Sequence, residues 1–254
     1  MWLSYSQNLN ERKASLDIPN KLIKLASLEL SKPFSYIYNQ SIIQDIVSNI
    51  LKVSRVTPIF KSGDATDPAN YRPIAVLSPF SKILEKIVND QLISFIDKYN
   101  ILFKYQFGFR KDHSTELAIL EITDSLKNSI DNNLITCGVF LDFSKAFDTV
   151  NHEILLRKLH KYVVRGIALD WFTSYLTNRT QYVKLGNVES SFHQIVCGVP
   201  QGSTLGPLLF LLYINDLANS SDVLSFRLFA DDANIFYATK TSKDLEAVMN
   251  SESN

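Results

Sequence analysis

The stretch RLFADDANIF (residues 227–236) sets two adjacent aspartates between two apolar runs. Leu228, Phe229 and Ala230 precede them; Ile235, Phe236 and Tyr237 follow. This pattern predicts a β-hairpin with Asp231 and Asp232 at its turn. A carboxylate is expensive to bury without a partner, and two neighbouring carboxylates also repel each other. Either the turn stays in water or positive charge comes to meet it.

A second strand is predicted in LITCGVFLDF (residues 134–143). Ile135, Cys137, Val139, Leu141 and Phe143 fall on one apolar face, so Asp142 lies on the other with Gly138 and Phe140. If this strand pairs beside the hairpin, three acids converge on one sheet edge. Hard cations such as Mg²⁺ are held by one or two carboxylates together with substrate phosphates. Two such ions about 4 Å apart stabilise both the attacking and the leaving oxygen of an in-line phosphoryl transfer. Taken alone, an Asp-Asp pair is also the mark of a solvated turn, and composition carries the argument no further.

The rest of the chain supplies a mixed scaffold. Helical periodicity marks the first fifty residues, which carry no nameable chemistry, and the run from Phe80 to Tyr99, where Ser78-Pro79 supplies the N-cap and first helical position. Further helices are predicted in HSTELAILEITDSLKNSI and NHEILLRKLHKYVV, with a helix buried nearly all round in STLGPLLFLLYINDLA. Short strands are predicted around residues 55–76 and 180–196, and TSKDLEAVMNSESN reads as a tail without a closing element. This order implies an α+β layer fold rather than a doubly wound parallel sheet. A length of 254 residues, 46% of them hydrophobic, suits one large domain or two interleaved subdomains. Lys plus Arg equals Asp plus Glu at 26 each, so nucleic-acid binding, if present, rests on a local groove. Cys137 and Cys197 read as buried reduced thiols, hence an intracellular protein, with nucleus and cytoplasm not distinguished. No signal peptide is visible, and the longest apolar stretch, residues 205–214, falls short of the roughly 20 residues that span a bilayer. A soluble protein is expected.

The motifs go further. GVFLDFSKAFDTVNHEIL, CGVPQGSTLGPLLFLLYINDL and RLFADDANIFY, in that order, resemble the successive active-site motifs of reverse transcriptases. Preceded by VTPIFKSGDATDPANYRPIAVLSPFSKILEKIV and YQFGFRKDHST, they are similar to the RNA-directed DNA polymerase of non-LTR, LINE-type retrotransposons in the Jockey-like range. The resemblance runs from about residue 17 to residue 237. It implies an α+β right-hand polymerase with fingers and palm. Residues 1–54 would be a helical N-terminal extension and 55–254 the reverse transcriptase domain, with fingers at about 55–133 and 151–199 and an interleaved palm at about 134–150 and 200–254.

By the same resemblance, Asp142, Asp231 and Asp232 are the catalytic acids and metal ligands, Asp231 the better supported of the pair, with the Phe143 carbonyl a further metal contact. Two Mg²⁺ ions, or Mn²⁺, are the implied cofactors. Phe147 matches the aromatic under the incoming sugar, where a ring collides with a ribose 2′-OH; without the motif it reads as a core aromatic. Gln201 and Gly202 match the loop approaching nucleotide and template, before a helix N-terminus expected from Ser203. Lys61 and Arg72 match the basic pair that grips the triphosphate, and Arg110 a basic position near the template. Asp148 and His152 are expected to serve as helix cap and packing, and His113, His160 and His193 show no zinc spacing. RNA template, DNA primer or target, and dNTPs are the implied partners; no membrane is.

Several features depart from the family pattern. The primer grip, the thumb and an upstream endonuclease are missing from the sequence, which reads as truncated after the acidic hairpin. Leu51 stands where relatives carry a large aromatic. A weaker grip lowers polyanion affinity steeply as salt rises. Three functions stay in view: the polymerase, a catalytically inactive remnant that only binds nucleic acid or protein, and another palm-type nucleotidyltransferase. The third is disfavoured by Phe147 with Gln201-Gly202.

Overall fold

A computed structural model of the chain describes residues 18–252. Residues 1–17, part of the expected helical extension, lie outside the described residues. The elements in chain order begin with helices α1 (Asn20–Leu25) and α2 (Ser27–Ile43), then β1 (Val53–Phe60), β2 (Tyr71–Leu77), α3 (Pro79–Lys98), α4 (Thr115–Asp131) and β3 (Ile135–Asp142). They continue with α5 (His152–Lys161), α6 (Ile167–Leu176), β4 (Arg179–Leu185), β5 (Val188–Glu189), β6 (His193–Ile195) and α7 (Gly206–Ile214). The hairpin strands β7 (Ser225–Phe229) and β8 (Asp232–Thr239) follow, and α8 (Ser242–Glu252) comes last. The described residues divide into two compact units, one of residues up to 95 and 147–209, the other of residues 96–146 and from 210 on.

The first unit is built on a sheet ordered β2-β1-β4-β5, with β6 paired to β4. Strand β1 runs antiparallel to β2 and parallel to β4. Helix α3 buries Leu84, Val88 and Leu92 at helical spacing, and Ser78 Oγ accepts from Ser81 N as the sequence predicts for its start. Helix α5 is capped by Asn151, whose side chain accepts from Ile154 N. Trp171, Phe172, Tyr175 and Leu176 fill the core from α6. Helix α2 docks on α6 as well, through Trp171 Nε1 donating to Ser41 Oγ at 3.2 Å.

The second unit holds a three-stranded antiparallel sheet, β3-β8-β7. Helix α4 packs on β3 and β7, and α8 on β8 and β3. Residues 96–133 pack in this unit, where α4 covers the sheet. Strand β3 lies at the sheet edge, so its apolar face is only partly covered: Ile135 is 45% exposed and Leu141 40%.

Three expectations are corrected. The tail is helical from Ser242, with Thr241 Oγ1 accepting from Asp244 N at its start, so a closing element does follow the hairpin. The helix expected from Ser203 begins at Gly206, whose N–H donates to Ser203 Oγ at 2.9 Å; Ser203 precedes the first turn. Neither cysteine is buried: Cys137 is half-buried and Cys197 exposed, and both are free thiols.

Candidate active site

The acids assemble in the second unit. In the β3–β8 ladder Asp142 lies directly opposite Asp232, with Phe140 opposite Asn234 and Gly138 opposite Phe236. Directly opposed residues of an antiparallel pair share a face, with Cβ atoms about 4.5–5.5 Å apart. Phe229 pairs with Asp232 across the hairpin, leaving Ala230 and Asp231 as a two-residue turn. Asp231 thus adjoins the opposed pair, as the sequence predicts. The Asp232 carboxyl is pushed above its ordinary range, first by partial desolvation and then by the charges of Asp231 and Asp142. Asp142 and Asp232 also line a 440 Å³ cavity, with Phe140, Asn234 and the α4 residues Thr115, Ala118 and Ile119 among its walls.

These carboxylates fit a divalent cation in donor chemistry, since all are hard oxygens whose mutual repulsion a cation relieves. Among the described residues, no three His, Cys, Asp or Glu side chains close around a point to hold an ion by themselves. Mg²⁺ does not require that, because it keeps waters and takes one or two carboxylates with substrate phosphates. Phe143, whose carbonyl the resemblance adds to the ligand set, follows the last residue of β3 and is 37% exposed.

The first unit gathers the residues matched to the nucleotide. Arg72 lies opposite Ile59 in the β1–β2 hairpin, and Lys61 N donates to Asn70 O one step past the strand, at 2.8 Å. Lys61 and Arg72 are therefore diagonal neighbours on one face, both exposed. The Gln201-Gly202 turn is stitched to the same strand, Ala75 N donating to Gln201 O at 2.7 Å. Gly202 has φ +113°, and a Cβ there would stand 2.5 Å from Ala75 O, so this close approach requires glycine.

Phe147 and Asp148 belong to this cluster too. Val199 N donates to Phe147 O at 2.8 Å, and Gln201 Nε2 donates to both carboxylate oxygens of Asp148 at 3.1 Å. His152 Nε2 donates to Gly198 O at 2.7 Å, which makes Nε2 its protonated nitrogen. Asp148 and His152 are therefore not a helix cap, a role taken by Asn151; they brace the 197–202 segment and orient the Gln201 amide.

Arg110 is engaged at home. Its Nη1 donates to Phe103 O at 3.1 Å and Gln106 O at 3.2 Å, and desolvation lowers its pKa against the raising influence of Asp97.

Sequence reasoning missed Glu85. It is 1% exposed on α3; Oε1 accepts from Tyr175 OH at 2.8 Å and Oε2 from Thr204 N at 2.7 Å. Burial pushes its pKa up, against the lowering hydrogen bonds and the Arg179 charge. Arg179 is fully buried over the Tyr175 ring, and Lys52 nearby is lowered to about 8 by burial and by Arg179. Glu85 thus ties the segment after Gln201-Gly202 to α3. The signal was present: position 85 falls on the stripe of Ser81, Leu84, Val88 and Leu92, where a carboxylate is out of place.

Comparison with known proteins identifies the family. The family model for "Reverse transcriptase (RNA-dependent DNA polymerase)" matches residues 59–252. The chain belongs to the reverse transcriptase family. It is 32% identical over 198 residues to the probable RNA-directed DNA polymerase from transposon X-element of Drosophila melanogaster, covering 76% of this chain and 22% of that protein. Identity to the RNA-directed DNA polymerase from mobile element jockey of the same organism is 29% over 233 residues, covering 88% and 25%. The chain thus spans about a quarter of the length of these relatives. The apo telomerase structure from Candida tropicalis shares the fold, with a TM-score of 0.57 at 13% identity over 89% of this chain and 46% of that one. The α+β fingers-and-palm expectation holds. Reverse transcriptases as a family use divalent metal ions. Among the described residues, no helix is long and apolar enough to cross a membrane.

Proposed function

We propose that this chain carries the nucleotidyl-transfer centre of an RNA-directed DNA polymerase of a non-LTR retrotransposon, adding dNTPs to a primer 3′-OH on an RNA template. The observation that supports it most is the register that sets Asp142 opposite Asp232, one residue from Asp231 at the turn. In the reaction the primer oxygen forms a bond to the α-phosphorus, the bond from that phosphorus to the bridging oxygen breaks, and pyrophosphate leaves. Mg²⁺ held by Asp142, Asp231, Asp232 and the Phe143 carbonyl would supply charge neutralisation at the reacting phosphate. Lys61 and Arg72, side by side on one face, suit the triphosphate, Lys as a point charge and Arg as a fork. The Phe147 ring takes the space of a 2′-OH, and Gln201, held by Asp148, meets the base pair being formed with Gly202. Arg110 holds the 103–106 loop beside the template path.

The test is primer extension on an RNA template with Mg²⁺ or Mn²⁺. Wild type extends the primer, and Asp231→Asn reduces incorporation about 100-fold or more. Equal, background-level incorporation by both removes the polymerase reading for this chain and leaves a non-catalytic binding remnant.

A further inference from the structure

The acidic turn is built on a strained residue. Ala230, the first of the two turn positions, has φ +54°, a left-handed backbone that L side chains adopt at a cost of roughly 1–2 kcal/mol. Such a conformation persists only where its surroundings over-determine it. Here the surroundings are one short segment, residues 105–108 of the same unit. Leu228 N donates to Tyr105 O at 2.9 Å and Phe107 N to Leu228 O at 2.8 Å, so the segment lies along β7. The Gln106 side chain, 2% exposed, then reaches the turn: Oε1 accepts from Ala230 N at 2.9 Å and from Gly108 N at 2.9 Å. Gly108 closes the bracket, since a Cβ there would sit 2.2 Å from Ala230 N.

The amide is retained at a cost. Among the described residues its Nε2 is buried without a hydrogen-bond partner, which costs about 1–3 kcal/mol. Because Oε1 accepts twice, the amide cannot be turned round to relieve it. A residue chosen for core packing alone would be apolar.

We propose that Gln106 is a positioning residue for the carboxylate site: its side-chain oxygen holds Ala230 N–H and so fixes the direction in which Asp231 and Asp232 leave the turn. This rests on the metal-dependent reading above. Gln106 touches neither substrate nor metal in this role; it acts through the turn, as outer partners of metal ligands do.

The experiment measures Mn²⁺ binding to the full chain, by the electron paramagnetic resonance signal of free Mn²⁺, alongside thermal melting. The variants are Gln106→Met, Gln106→Glu, Asn215→Ala and Asp142→Asn. Gln106→Met keeps the shape without the acceptor and weakens Mn²⁺ binding about 10–100-fold. Gln106→Glu keeps an accepting oxygen and stays within about threefold of wild type. Asn215 ties the same loop away from the turn, through Phe103 N at 2.7 Å and Ile101 O at 2.8 Å, so Asn215→Ala lowers the melting temperature and leaves Mn²⁺ affinity alone. Equal affinity in wild type and Gln106→Met overturns the positioning role, as does an equal loss in Asn215→Ala. If Gln106→Met does not fold, a folded Gln106→Glu that has lost Mn²⁺ affinity overturns it. Wild type that binds no Mn²⁺, or binds it as well as Asp142→Asn does, instead overturns the metal reading underneath.

Discussion

Replacing Glu85 distinguishes a buried charge that holds a loop from one that is merely tolerated. Glu85→Ala removes the acceptor of the buried Tyr175 OH and the part-buried Thr204 N–H and leaves the space of the side chain behind. Losing both hydrogen bonds together with the side-chain volume costs about 3–5 kcal/mol. Glu85→Gln keeps the shape: its carbonyl oxygen still accepts from Thr204 N, and the Tyr175 hydroxyl turns to accept from the new NH₂. Burial has already pushed the Glu85 pKa up, so the neutral form suits the site better than it suits water. The glutamine variant should therefore cost about 1 kcal/mol, the scale of one net hydrogen bond.

Urea unfolding reads these differences directly. In a chain this long, each 1 kcal/mol shifts the melting temperature by about 2–4 °C, so the alanine variant should melt about 6–20 °C lower. The pH dependence has a definite sign. A carboxyl whose folded pKa is raised contributes stability that is fully present below its unfolded value and lost as pH rises through the folded one. Glu85→Gln should flatten that slope. An alanine variant within 1 kcal/mol of wild type, or a glutamine variant as damaged as alanine, would refute the assignment.

Phe147→Ala should raise ribonucleotide incorporation relative to deoxynucleotide by about 10-fold or more, read by competition in primer extension; an unchanged sugar ratio removes the gate. Gly202→Ala places a Cβ 2.5 Å from Ala75 O at φ +113° and should cost about 2–4 kcal/mol in urea unfolding; an unperturbed variant would mean the turn is free of β2. Asp232→Asn should raise the unfolding free energy slightly at neutral pH, by about 0.5 kcal/mol or less, since the group is exposed and screened. The Asp232 pKa is raised, so its stabilising contribution is present below the ordinary aspartate range and fades as pH rises through the folded value; the variant should lose that share of the slope.

The acids were legible because strand alternation is a period-2 code. Placing Asp142 on the face of Gly138 and Phe140 needs nothing but counting, and the ladder repeats it residue for residue. The start of α3 was legible for a similar reason, a local cap written in adjacent residues. What stayed hidden depends on contacts between distant segments. Cys197 looks apolar in sequence, but its segment is held by Gly198 N donating to Val150 O and Val199 N to Phe147 O, and its exposed Sγ lies 3.4 Å from Asp148 O. The tail reads as polar because helix α8 has only one face to bury, and its Leu245, Val248 and Met249 spacing is short enough to pass for chance.

The concealed residues share a physical character. Glu85, Gln106 and Asp148 each place a side-chain oxygen on a main-chain N–H or an amide of a segment that carries matched site residues. Backbone segments outside regular ladders still need partners for their polar groups, and buried side-chain acceptors supply them. The 197–205 segment and the acidic turn are two such places, bent away from any ladder, one by Gly202 and the other by Ala230. Each therefore needs an acceptor from elsewhere in its own unit. A polar residue on an apolar stripe, as at position 85, is the sequence trace of that need. The most direct way to find such braces is to ask which irregular N–H groups lack a ladder partner, and then which buried polar side chain lacks a reason to be polar.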